Sequence, residues 1–184
     1  MQPDAGQPRL SVMTDEDREF VDFFADEYWP LRRLGLLLTG NWHEADELAQ
    51  EATARTFAAW GRLRRRGAAA AYARRVLVNR HRSLLRRALV EARHAVVHRE
   101  ARYEPDLSGD NQLLWQALQQ LPVRQRTALV LRFYLDLPEA EVARLLGVPP
   151  GTVKSWVHRG LARLRQRLGP EYRSEPLLDT EVRP

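Results

Sequence analysis

Lys154, Ser155, His158 and Arg159 fall at offsets 0, +1, +4 and +5, a spacing that gathers all four on one side of an α-helix. Ammonium, hydroxyl, imidazole and guanidinium groups side by side suit the base edges exposed in a DNA major groove. A second set, Arg75, Asn79, Arg82 and Arg86, recurs at i, i+4, i+7 and i+11 and makes one polar helix face. Arginines there would neutralise phosphates, and the Asn amide would meet base edges or strand ends. Just upstream, Arg62, Arg64, Arg65 and Arg66 crowd a loop from Gly61 to Gly67, with Trp60 at its edge. Aromatic and guanidinium groups beside a flexible loop can hold unstacked bases. For Trp60 a place in the core is an equal alternative, and a charge run can also be a solvated face.

These side chains need particular elements to hold them. Around the first set, the stretch from Leu137 to Leu168 reads as two helices and a tight turn. Pro138 suits the first position of a helix, where its missing N–H costs nothing. Val142, Leu145 and Leu146 give it a short apolar stripe. Gly147 can take the left-handed conformation that stops a helix, and Pro149 and Pro150 forbid its continuation. The next helix starts near Gly151 and turns Val153, Val157, Leu161, Leu164 and Leu168 toward a core.

Upstream, Thr14 with Asp15, Glu16 and Asp17 starts a helix whose first-turn acids favour its N-terminal dipole. Phe20, Phe23, Phe24 and Tyr28 form an aromatic stripe read as core. Pro30 is read as opening another helix, with Leu31, Leu34, Leu37 and Leu38 inward and a stop near Gly40. Asn41, followed by Glu44, caps a third helix over about 42–60. A fourth, from about Ala68 to Val90, carries the Arg75–Arg86 face. Residues 91–111 lose apolar periodicity and are read as a flexible linker; residues 1–13 and 169–184 are read as disordered. A helix then ends at Leu121-Pro122, and another runs to about Asp136. The expected fold is all-α: one helical module over 14–90, a linker over 91–111 and a second module over 112–168.

Composition narrows the function. The chain has no cysteine, so disulfides, thiolate metal sites and cysteine nucleophiles are excluded. His43, His81, His94, His98 and His158 show no ligand spacing with carboxylates, and no Ser/His/Asp arrangement can be argued, so neither a metal nor a catalytic function is expected. No apolar run approaches the roughly 20 residues that cross a bilayer, and the polar N-terminus is no signal peptide; a soluble cytoplasmic protein is expected. The net charge of +5 is modest but segregated. Residues 52–90 hold eleven arginines and no acid, whereas residues 1–51 hold twelve acids. One part is suited to phosphate and another to a basic protein surface. All but one of the 29 basic residues are arginine. A GC-rich genome also favours arginine, yet it does not explain the missing acids.

In order, DELAQEATARTFAAW, AYARRVLVNRHRSLLRR and LPVRQRTALVLRFYLDLPEAEVARLLGVPPGTVKS resemble a bacterial sigma factor of the extracytoplasmic-function group, reduced to regions 2 and 4. The resemblance covers about residues 17–168, and WPLRRLGLLLTGN resembles the actinobacterial SigE-like subgroup. It implies that Asp46, Glu47, Leu48, Gln50 and Glu51 dock on the β′ clamp helices of core RNA polymerase. It places Trp60, Arg62, Arg64, Arg65, Arg75, Asn79, Arg82, Ser83 and Arg86 at the −10 element, where a flipped non-template base is captured. Lys154, Ser155, His158 and Arg159 match the −35 reading face, Arg132 a further −35 contact, and Thr152 a phosphate contact. The second module's apolar surface would meet the β flap, and an anti-sigma factor is an expected partner that no residue demonstrates. Pro138, Pro150 and Trp156 depart from the family pattern. Trp156 could flank the DNA backbone or cover the module's core, with the second preferred. The residue-level alternative is a stand-alone dimeric helix-turn-helix regulator, which leaves the basic face of 71–87 unexplained.

Overall fold

The computed structural model describes residues 14–63, 66–91 and 110–169, and among these all regular structure is helical. The readings for residues 1–13, 64–65, most of the linker and the C-terminal tail lie outside the described residues. Helix α1 (Asp15–Thr39) opens on a reciprocal cap: Thr14 Oγ1 accepts from the Asp17 N–H at 3.2 Å, and the Asp17 carboxylate accepts from the Thr14 N–H at 2.9 Å. The Thr14 hydroxyl, donating to the Asp17 carboxylate at 2.7 Å, and then the Thr14 N–H favour the charged carboxylate and hold the Asp17 pKa below its usual value.

The expected break at Pro30 does not occur; α1 runs through it to Gly40, whose φ of +79° ends the helix. An internal proline costs about 3 kcal/mol or more through its missing N–H and ring clash. Full burial of Leu31, Leu34 and Leu38 returns about 1.5–3 kcal/mol each, and continuity of the helix is what puts them on one face with Phe23. That register also corrects the aromatic stripe. Phe23 is buried and Phe20 half-buried, but Phe24 is left exposed.

Helix α2 (Trp42–Ala58) is capped by the Asn41 side chain, which accepts from the N–H groups of His43 and Glu44. Ala45, Ala49 and Ala52 are fully buried on α2 and allow a close approach to α1. At Gly35 an added Cβ would stand 3.0 Å from the Ala45 backbone. The loop expected over 61–67 is mostly helical. Trp60–Leu63 forms a short α3, and α4 (Arg66–Glu91) starts at Arg66. Phe23, Leu38, Leu48, Trp60, Ala73 and Leu77 belong to the first core.

The second module comprises α5 (Asp110–Gln119), α6 (Val123–Leu129), a π-helical turn (Val130–Tyr134), α7 (Glu139–Leu146) and α8 (Pro150–Leu168). The helix expected to reach Asp136 therefore widens after Leu129 and ends where Asp136 takes φ +50°. Gly147 stops α7 at φ +65°, and Pro150 is the first residue of α8, as the punctuation of the sequence requires. Leu131, Val142, Val153, Val157 and Leu164 are buried in the second core.

The two modules pack against each other. Val78 of α4 joins the second core, Val130 joins the first, and Trp115 of α5 packs with Leu36 and Ala45. The last turn of α1 carries no basic residue of its own. Arg126 of α6, buried, supplies the cation, donating from Nε to the Leu38 carbonyl at 3.1 Å and from Nη2 to the Thr39 carbonyl at 3.4 Å. A guanidinium there satisfies terminal carbonyls and meets the negative end of the helix dipole.

Candidate nucleic-acid interface

Helix α8 presents its polar set on a rigid base. Val153 and Val157 are buried beneath it, while Lys154, His158 and Arg159 are exposed and Ser155 is half-buried. Gly160, also buried, fixes how close α8 lies to α6, since an added Cβ would stand 2.8 Å from Leu129 Cδ1. Thr152 is half-buried in the first turn of α8, where helix amides suit an anion. Trp156 packs against the second core, with the Arg124 guanidinium 5.9 Å from its ring, so it covers the core as preferred. Arg132 is half-buried on the π turn, 3.3 Å from Asp136 and 5.5 Å from the ring of Phe133.

On α4, Arg75, Asn79 and Arg86 are exposed and Ser83 is half-buried. Arg82 is different: its Nη1 donates to the Leu145 carbonyl of α7 at 2.8 Å. Arg82 and Arg86 share a cavity of about 400 Å³ with Arg124, Gly147, Thr152 and Trp156, so faces from both modules line it. Arg75 lines a second inter-module cavity of about 300 Å³, with Val78, Leu137 and Leu145. His81 lies buried between α4 and α6, its Nε2 3.4 Å from Thr127 Oγ1. Burial, reinforced by the Arg126 charge, pushes its pKa down to about 4 and leaves the ring neutral.

Arg62 is exposed, whereas Arg64 and Arg65 lie outside the described residues. Trp60 requires a correction. It is 8% exposed, with Phe20 and Phe23 ring centroids at 5.2 and 5.1 Å, so its indole is held in the core and cannot stack on a base. The signal for this was the aromatic stripe of α1, which needed a large apolar partner.

The acidic set divides in the same way. Glu47 and Gln50 are exposed, and Glu51 is half-buried between Arg55 (2.6 Å) and Arg80 (2.7 Å). Asp46 is half-buried and paired with Arg32, whose guanidinium lies over Trp42 at 4.2 Å. Leu48 is 1% exposed and belongs to the first core, so it cannot itself touch a partner. Sequence reasoning missed exposed apolar groups on α1 and α2, the helices that carry this surface and its Arg32 partner. Val21, Phe24, Trp29 and Phe57 are all exposed, and only the continuous register of α1 separates the outward aromatics from the inward ones. Among the described residues, no group of three or more His, Asp or Glu side chains could hold a metal, and no helix is long and apolar enough to cross a membrane.

Comparison with known proteins gives a consistent result for both modules. Residues 24–91 match the family model for sigma-70 region 2, and residues 111–164 match that for sigma-70 region 4. The RNA polymerase sigma-E factor of Streptomyces coelicolor is 33% identical over 152 residues, covering 82% of this chain and 86% of the relative. That of Streptomyces antibioticus is 37% identical over 127 residues, covering 68% and 71%. The ECF sigma factor SigM of Mycobacterium tuberculosis is 33% identical over 156 residues, covering 82% and 77%. Among solved structures, the sigma factor RpoE from Bartonella quintana, crystallised with the anti-sigma factor NepR, shares the fold at TM-score 0.63 and 23% identity, over 82% of this chain and 97% of that one.

Proposed function

The chain belongs to the sigma-70 family, as a SigE-like sigma factor of the extracytoplasmic-function group, and on that premise we propose that it directs RNA polymerase to promoters by reading two separated DNA elements, one with each module. The observation that carries this reading is the preformed edge of α8. Lys154, His158 and Arg159 stand in solvent over a close-packed core, beside a helix N-terminus able to meet phosphate. Arg159 and Lys154 have the donors that pair with guanine O6 and N7 in a −35 element, and Ser155 and His158 add hydrogen-bonding capacity along the same groove. Thr152 and Arg132 serve the flanking phosphates.

At the −10 element the work is strand capture. Arg75, Arg82 and Arg86, with Arg62 of α3 and the neighbouring Arg64 and Arg65, neutralise the non-template strand, while Asn79 and Ser83 offer hydrogen bonds to an extruded base. Extrusion costs a few kcal/mol, so groups that hold the base after it leaves the stack favour the open complex. Docking on the β′ clamp helices falls to Glu47, Gln50 and Glu51, with Asp46 held half-buried by Arg32 and Leu48 anchoring α2 from inside. The exposed Phe24, Trp29 and Phe57 add the apolar contact that such an interface needs. The apolar surface of the second module is assigned to the β flap. The protein contributes binding energy, and phosphoryl transfer stays with the polymerase.

The test is transcription in vitro by core polymerase on fragmented genomic DNA, with transcript 5′ ends mapped with and without the protein. New starts that share −35 and −10 elements are expected. No new starts, with duplex binding intact in the absence of polymerase, would point to a stand-alone helix-turn-helix regulator.

A further inference from the structure

The cavity of about 400 Å³ has a lining whose chemistry no contact within the protein uses up. Arg82 and Arg86 of α4 and Arg124 of α6 line it, and no Asp or Glu does. Three guanidinium groups around one space, with no carboxylate to neutralise them, favour an anion that carries more than one charge. Arg82 reaches the wall because Gly147 has no Cβ; an added one would stand 2.9 Å from Arg82 Nη1. Nη1 donates to the Leu145 carbonyl, but Nε is buried with no hydrogen-bond partner among the described residues. Arg86 and Arg124 are exposed. The rest of the wall is of two kinds. Leu85, Leu146, Val148, Pro149 and Trp156 give it an apolar side that includes one indole. His81 and Thr127, both buried, and Thr152 give it a few uncharged polar groups, the imidazole being neutral with its pKa near 4.

We propose that this cavity is a ligand site for a free nucleoside monophosphate, with the phosphate among Arg82, Arg86 and Arg124 and the base against Trp156 and the aliphatic wall. Guanidinium groups match phosphate oxygens in pairs, and a doubly charged phosphate answers three of them better than a single carboxylate does. A planar base has an apolar face for the indole and polar edges for His81, Thr127 and Thr152. A fatty-acid anion offers one charge and nothing for those polar groups. The volume lies near the lower end of the roughly 300–1,000 Å³ of small-ligand pockets, which suits one nucleotide and not two. Ligand sites are mostly apolar with a few placed polar groups, as this wall is. A nucleotide held there occupies Arg82 and Arg86, so on the proposed promoter reading it competes with the −10 strand. The binding itself needs neither DNA nor polymerase, so its failure and the failure of that reading are distinguishable.

The test is calorimetric titration of the full chain with AMP, GMP, CMP and UMP in turn, with inorganic phosphate and the four nucleosides as controls. At least one monophosphate is expected to bind at one site per chain, about tenfold or more tighter than phosphate or its own nucleoside. Arg124→Ala, at an exposed position outside the surfaces assigned to DNA and polymerase, should weaken that binding about tenfold by removing one charge-assisted partner. Arg144→Ala removes an exposed arginine of α7 that does not line the cavity and should leave the affinity unchanged. Circular dichroism checks that both variants fold. Monophosphates that bind no tighter than phosphate, full affinity in Arg124→Ala, or an equal loss in the two variants overturns the proposal. A single-stranded oligonucleotide that binds through Arg124 more tightly than any mononucleotide also overturns it, and gives the cavity to a nucleic-acid strand.

Discussion

On α8 the polar side chains stand clear of the protein, whereas on α4 the corresponding arginines are partly spent on it. Lys154, His158 and Arg159 project from a helix fixed by Gly160 and Val157 against α6. Arg82 caps the end of α7, Arg75 and Arg86 line inter-module cavities, and the face proposed for the −10 element keeps the Asn79 amide exposed. The contrast follows the DNA each surface is assigned to meet. A duplex groove is present before binding, so its reader can be rigid and open. A melted strand is flexible, so a surface proposed to hold it can combine Asn79 in solvent with an arginine, Arg82, that also bonds to the protein.

Several substitutions test whether the two surfaces are built as differently as this. Trp60→Ala should have the largest effect, costing about 3–5 kcal/mol of stability by emptying the aromatic core of the first module. Chemical denaturation measures it; unchanged stability with lost promoter melting would return Trp60 to the base-holding role denied it above.

Protonation of His81 comes next, at the seam between α4 and α6. Its folded-state pKa of about 4 lies below the usual 6.5, so the unfolded chain takes up the proton first as pH falls. The contribution is whole above pH 6.5, declines through the interval below it and is lost toward pH 4, amounting to about 3 kcal/mol. His81→Phe should flatten that part of the pH–stability curve; an identical slope in the variant would mean that another group titrates there.

Arg159→Ala should leave stability unchanged and cost about 1–3 kcal/mol of discrimination between native and scrambled −35 duplex. Retained discrimination would remove it from the reading edge. Glu47→Lys should have the smallest effect on the fold, because its pairing with His43 at 3.4 Å is between exposed neighbours and worth less than about 1 kcal/mol. Its consequence should appear in the association rate with core polymerase. A variant that binds polymerase at the wild-type rate would relocate the docking surface to the aromatic groups of α1.

The α8 edge was legible because every signal that builds it is local. Gly147, Pro149 and Pro150 punctuate the chain, and a period of 3.6 separates buried Val153 and Val157 from exposed Lys154 and Arg159. The reading failed where distant parts of the chain decide the outcome. Pro30 looks like a helix boundary until the core shared by Leu31, Leu34 and Leu38 outweighs it. Trp60 and Leu48 lie within motifs matched to DNA and polymerase contacts, yet the packing of α1, α2 and α4 claims them. The packing of the two modules was invisible in the sequence because the Arg82–Leu145 and Arg126–Leu38 bonds join residues 63 and 88 positions apart, which no periodicity records.

The division of labour between the two surfaces is tested most directly by permanganate footprinting of polymerase–promoter complexes formed with the wild type and with Asn79→Ala. Asn79→Ala complexes are expected to protect the −35 element still while thymines in the −10 element lose reactivity. Wild-type reactivity at −10 in the variant would contradict that division and remove strand capture from α4.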